Sequence, residues 1–95
     1  MNLNELIEQV KDEKTFMAFA KALLQERLDD IELEKQNPSS PYSPTHKGWE
    51  NTKIETFLDA AVAWAEDTDF GKSQDIKQND WYKFATFLYC GKIYE

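Results

Sequence analysis

The chain holds one cysteine, one histidine and three glycines in 95 residues. The lone cysteine, Cys90, excludes an internal disulfide and leaves no thiolate cluster for zinc. The lone histidine, His46, excludes a histidine pair, an HExxH helix and the Glu-x-x-His pairs of a di-iron bundle. Gly48, Gly71 and Gly91 stand apart from one another, so no phosphate-cradling loop and no Gly-x-Ser-x-Gly elbow exists. Apolar runs stay far below the ~18 residues of a membrane span, so no membrane partner is expected. The first residues, MNLNELIEQVKDEK, are charged and lack an apolar stretch with a cleavage site, so they do not read as a secretion signal. Cations are scarce too. Eleven Lys and Arg face 18 Asp and Glu, for a net charge of −7. Such a surface repels phosphate backbones, which argues against nucleic acid, and would steer a basic protein partner instead. The expected setting is cytoplasmic and bacterial, with no cofactor, as a monomer or weak homodimer.

What the chain has is aromatic and helical. Six Phe, four Tyr and three Trp accompany a 41% apolar share. Each buried aromatic brings roughly 150–250 Å² of contact area, which offsets the modest core of so short a chain. The mean hydropathy is negative, but the apolar residues are clustered and periodic, unlike those of a disordered chain. One domain over residues 1–95 is expected.

Leu3, Leu6, Ile7 and Val10 form a short helical stripe with Asn2 as its cap. Asp12 can cap a second helix over about 13–36, with Phe16, Phe19, Ala20, Leu23, Leu24, Leu28 and Ile31 at core spacing. Glu26, Asp29 and Asp30 read as its solvent face. Residues 37–48, NPSSPYSPTHKG, contain all three prolines, which excludes continuous helix and predicts an exposed loop. Its SPYSP core has the form of a modification or proline-recognition site, but such composition is ordinary loop chemistry. A third helix is predicted from Asn51 or Thr52 to about Asp67. Thr52 and Glu55 have capping-box spacing, and Ile54, Phe57, Leu58, Ala61, Val62 and Ala65 form the stripe. Residues 70–79 read as a polar loop. A last helix starts at Asn79 or Asp80, with Trp81, Phe84, Ala85 and Leu88 as its stripe. Gly91 within it costs roughly 1 kcal/mol against alanine, which a close helix crossing or a frayed end would explain. No alternating strand pattern of useful length occurs. The fold class is therefore all-α: a small irregular bundle of three main helices plus a short N-terminal one.

Trp49-Glu50-Asn51, FLDAAVAWAED and WYKFATFLYCGKIYE together carry a resemblance. The chain resembles a family of small, acidic, mostly bacterial proteins of unknown function. That family has Trp-Glu-Asn before a helix of the form FL-E/D-A-x-x-A-W-x-x-D. It closes on Trp-x-x-Phe-Ala and a final Tyr-Glu. The positions here are Trp49, Glu50, Asn51, Phe57, Leu58, Asp59, Ala60, Ala63, Trp64 and Asp67, then Trp81, Phe84, Ala85, Ile93, Tyr94 and Glu95. The resemblance spans about residues 11–36 and 49–95 and implies a fold but no activity. The chain departs from it in a longer loop before Gly48 and a shorter one after Phe70.

The candidate site is acidic. Glu55, Asp59 and Glu66 share one face of the third helix, and Asp67 and Asp69 follow at its C-terminus. Negative charge there opposes the helix dipole by roughly 0.3–1 kcal/mol per residue. The plain reading is a solvated acidic face. The functional one is a contact for a basic protein, made by Trp49, Glu50, Asp59, Glu66, Asp67 and Asp69. Trp49, at a loop–helix junction, is the tryptophan expected to be partly exposed and to anchor an interface. The expected function is a noncatalytic interaction module or inhibitor, resembling an immunity protein. The alternative is a divalent-metal-dependent hydrolase with Glu50, Glu55, Asp59, Glu66 and Asp67 as oxygen ligands. A calcium loop from Asp67 fails at two required positions, now Lys72 and Gln78. His46 reads as a solvated loop histidine, and Cys90 as a buried, inert thiol.

Overall fold

A computed structural model describes residues 2–72 and 79–94. Its helices start where short polar side chains can take otherwise free amides. Asn2 accepts the Glu5 N–H at 2.9 Å at the head of α1 (Leu3–Glu8). Asp12 accepts the Thr15 N–H at 2.9 Å at the head of α2 (Glu13–Gln36), and the Thr15 hydroxyl takes the Asp12 N–H in return. The next helix, α3 (Ile54–Asp67), lacks the predicted Thr52–Glu55 box; its first turn is tied by the Thr56 hydroxyl, which accepts the Lys53 N–H at 3.2 Å. Asn51, at the predicted start, is tied to α4 instead: its backbone N–H donates to the Lys92 carbonyl. Asn79 caps α4 (Asp80–Ile93) by accepting the Tyr82 N–H at 3.0 Å. The described residues form four helices and no strand, which bears out the all-helical bundle. Residues 73–78 of the predicted polar loop lie outside the described residues.

The fourth helix is the hub. It packs against α1, α2 and α3, whereas α2 and α3 make no close backbone approach to each other. Small residues let the backbones approach: Ala60 and Ala61 on α3, and Ala85 and Gly91 on α4, are buried. A Cβ on Gly91 would stand 2.8 Å from the Phe57 ring, so of the two explanations for this glycine the close crossing holds. Phe19 and Trp64 are among the largest fully buried side chains, each contributing roughly 1.5–3 kcal/mol by leaving water. Around them Phe70 packs its ring on Trp64, Phe84 and Phe87, with centroids 5.5–6.3 Å away. Reaching that position forces Asp69 and Phe70 into the left-handed region, at φ 50° and 54°. The cost, of order 1–3 kcal/mol for each, is offset by the aromatic cluster and by hydrogen bonds such as Gly71 N–H to the Thr68 hydroxyl at 2.8 Å.

The faces of α2 depart from the periodicity-based expectation. Leu24 is 60% exposed and Leu28 also lies open, whereas Asp30, placed by periodicity on the solvent face, is completely buried. Similarly, Ile54, Leu58 and Val62 of the predicted α3 core stripe are exposed. The apolar stripes are wider than the core that uses them. The loop between Asn37 and Lys53 folds instead onto acidic side chains of α2.

Candidate functional site

Glu26, Asp30 and Glu34 recur every four residues and therefore line one edge of α2. Each holds a different part of the following loop. Glu34 accepts the Ser39 N–H at 2.9 Å, the Ser39 hydroxyl at 2.7 Å and the His46 N–H at 3.1 Å. These donors, the Ser39 amide foremost, hold the Glu34 carboxyl below its ordinary value. Asp30 accepts the Lys47 N–H at 2.9 Å and a guanidinium N–H of Arg27 at 3.1 Å. Glu26 accepts the Trp49 indole N–H at 2.9 Å and the Lys92 ammonium at 2.6 Å on the same oxygen. His46 is not a wholly solvated histidine. Its Nε2 lies 2.6 Å from the Asn37 carbonyl; since a carbonyl only accepts, that nitrogen carries the proton.

Trp49 is the centre of this arrangement and is 6% exposed. The expectation of a partly exposed indole is corrected. Its ring stacks on Phe57, with Arg27 and Lys92 each 5.7 Å from its centroid. If the ring turned outward its N–H would lose Glu26 and both cations would lose the ring face, though each keeps its carboxylate, Glu26 for Lys92 and Asp30 for Arg27. Its backbone is equally fixed. The Trp49 N–H donates to the Thr45 hydroxyl and its carbonyl accepts the Thr45 N–H, a tight turn in which Gly48 takes φ 82°. Lys92, 6% exposed, supplies the buried charge that Glu26 neutralises. Its own carbonyl accepts the Glu50 and Asn51 amides at 3.0 and 3.2 Å. The Asn51 side-chain amide donates to the Gly91 and Tyr94 carbonyls, both at 3.0 Å, and so caps the C-terminus of α4. Trp-Glu-Asn is thus a joint between α2, α3 and α4.

The remaining predicted site residues separate. Asp59 and Glu66 are exposed on α3, aligned with Glu55; none of the three forms an ion pair among the described residues. Asp67 lies on another side of the helix and accepts the Tyr94 hydroxyl at 2.7 Å, which raises the Tyr94 pKa. Asp69 sits beyond the helix in its left-handed turn, 3.7 Å from Lys72. Glu50 is exposed while its backbone is bound to Lys92. No group of three or more metal-binding side chains that could hold an ion occurs among the described residues. Cys90 is half-buried, and burial pushes its thiol up to about 11, which suits an inert role.

Between α2 and the start of α3 lies an apolar groove of about 330 Å³, with Leu23, Trp49 and Phe57 among its lining and Leu24, Ile54 and Leu58 at its open edge. Ile54 is 79% exposed. These residues were read from the sequence as core. Their signal was available in the excess width of the two apolar stripes, beyond what one core face needs.

No described helix is long and apolar enough to cross a membrane. No curated protein and no solved structure matches the chain. A family model does match, over residues 12–95. The chain therefore belongs to the family of unknown function designated DUF7660, consistent with the resemblance carried by its tryptophan motifs.

Proposed function

We propose that the protein is a noncatalytic interaction module that binds a basic protein through the outer shoulder of α3. One observation carries this: Ile54, Leu58 and Val62 are exposed on α3, beside Glu55, Asp59 and Glu66, which have no cation of their own among the described residues. By helical spacing the acidic row lies just outside the apolar one. Exposed apolar side chains bordered by like charges are typical of an interface whose centre excludes water and whose rim selects the partner. The net charge of −7 adds long-range steering of a cationic partner. Trp49 is occupied by Glu26, so the aliphatic row takes the central place first given to the indole. Covering the cationic site of another protein, as an inhibitor does, is the form of binding that suits so small a chain.

The test uses the whole protein as bait in cells of its source. A basic protein should be retained in stoichiometric amount. Binding of that protein, once purified, should weaken at least about tenfold with Asp59→Lys and again with Glu66→Lys, while the melting temperature is kept. Retention of no basic protein, or affinity indifferent to both reversals, overturns the proposal.

A further inference from the structure

We propose that the cleft between α2 and α4 is a binding site for an amphipathic helix of a partner protein, and that α1 is its displaceable resident. The helix it takes has apolar side chains at i, i+4 and i+7 and side-chain oxygen acceptors at i+1 and i+5. α1 packs on α2 and α4 and not on α3, so this surface is separate from the α3 shoulder and does not rest on that reading.

The cleft is seen with an occupant in place. Leu3, Ile7 and Val10 join Phe19 and Leu23 of α2 and Ala85 of α4 in one buried cluster. Beside this apolar seam stand two tyrosines of α4, two turns apart. The Tyr82 hydroxyl donates to the Glu8 carboxylate at 3.2 Å, and the Tyr89 hydroxyl to the Asn4 side-chain oxygen at 3.1 Å. The later tyrosine meets the earlier acceptor, so the occupant runs antiparallel to α4. Three apolar positions and two acceptors therefore define what fits, which is the anchor pattern of a helix laid in a groove. A hollow of about 380 Å³ lies at the head of α1, with Leu3, Ala22, Gln25 and Asp29 among its lining. α1 thus leaves one end of the cleft unfilled. A helix one turn longer at that end fills it, which α1 of a second copy does not.

The resident is weakly held. Its six residues are too few for a helix that stands alone, so α1 is helical only while docked. No backbone–backbone hydrogen bond and no ion pair joins residues 2–11 to a later helix among the described residues. The bond from the Asn79 side chain to the Val10 carbonyl is long, at 3.4 Å. The two tyrosine bonds are exposed, where water readily replaces them. Trp49-Glu50-Asn51, by contrast, is tied to α4 through backbone amides. Nor does α2 need α1. Its first turn is closed by Asp12 and Thr15, and the Thr15 hydroxyl also takes the Lys11 N–H at 2.9 Å. Gln9 to Lys11 form a hinge between two self-contained ends. The segment that matches the family, residues 12–95, holds both walls of the cleft and not its cover. Three buried aliphatic side chains must offset the ordering of residues 2–11, a near balance that a better-filling helix tips.

Hydrogen exchange on the wild-type chain gives the first test. Protected amides of α1, such as those of Leu6 and Gln9, should exchange at least about a hundredfold faster than the slowest of α2 and α4, after correction for intrinsic rates. A dye-labelled peptide of residues 1–11 stands in for the partner helix in the second. By fluorescence anisotropy it should bind the full-length Ile7→Asp variant, whose own α1 is expelled, at least about tenfold tighter than wild type. The peptide with Asn4→Ala and Glu8→Ala should bind about fivefold more weakly, and the peptide with Ile7→Asp should not bind. The two measurements are linked. A tether supplies an effective concentration on the order of millimolar, so a docked-to-open ratio of about a hundred implies a dissociation constant of about 10 µM for the free peptide. Exchange of α1 only with global unfolding overturns the inference. So does loss of the fold in Ile7→Asp by circular dichroism, or no binding to that variant at millimolar peptide. Sedimentation showing wild-type dimers that Ile7→Asp abolishes also overturns it, because the occupant is then a second copy of this chain.

Discussion

Replacing Lys92 by methionine tests the central joint most directly. The substitution keeps the length and apolar volume of the side chain and removes its charge. It leaves the Glu26 carboxylate with the Trp49 indole N–H as its donor, after a 2.6 Å ammonium contact is lost. Removing one member of a fully buried pair costs about 3–5 kcal/mol. Glu26 keeps 23% of its side-chain surface and Lys92 only 7%. Water can therefore compensate part of the loss, and about 2–4 kcal/mol is expected after that discount. A domain of this size has roughly 5–14 kcal/mol of stability in all. The midpoint of thermal unfolding should fall by roughly 10–25 °C. Urea unfolding followed by far-ultraviolet circular dichroism gives the free energy. The control is Lys35→Met, which breaks the 3.2 Å surface pair with Glu32, both partners being about two-thirds exposed. That change should cost less than about 0.5 kcal/mol. A double-mutant cycle with Glu26→Gln should return a coupling above about 1 kcal/mol. If Lys92→Met costs no more than Lys35→Met, the buried pair does not hold the joint.

Two further outcomes follow from the same architecture. Gly91→Ala should destabilise by about 1–2 kcal/mol in urea unfolding despite the better helix propensity of alanine, because its Cβ meets a Phe57 ring held against Trp49; a neutral or stabilising result would mean the ring swings away freely. Acid should loosen the loop. The Ser39 amide and the other donors lower the pKa of Glu34 from 4.5, as the Thr15 amide lowers that of Asp12 from 3.8. A depressed carboxyl contributes stability that is present above its unfolded value and is lost as pH falls through the folded one. Wild-type stability should therefore decline below about pH 4.5, and Glu34→Gln should flatten that decline in urea titrations. An unchanged pH profile in that variant would remove Glu34 from the account.

Much of the helix order was legible. The starts of α1, α2 and α4 rest on local chemistry, Asn2, Asp12 and Asn79, each of which reaches only three residues ahead. The start of α3 was missed because its controlling bonds run from Asn51 to residues 40 and more further along the chain. The same holds for α2. Periodicity sees that Asp30 and Glu26 are polar, but not that Lys47, Trp49 and Lys92 arrive to satisfy them. A carboxylate with long-range donors behaves as an inside residue, and its burial cannot be told from spacing. The opposite error, Leu24 and Ile54 read as core, has a related cause. An apolar stripe records that a surface avoids water, not whether this chain or another provides the cover.

The three consecutive residues of the joint have a consequence for chain length. Trp49 reports to α2, Glu50 and Asn51 to the end of α4, and α3 begins three residues later. Adding or deleting a single residue between Thr45 and Ile54 would put each of these groups one step out of register, so the segment has a fixed count. Tyr42, 98% exposed, lies in a stretch with no such appointments beyond its neighbours. Chains of this architecture can therefore vary in length around Tyr42, between Ser40 and Thr45, and keep their shape, whereas the same change a few residues later would misplace an entire helix.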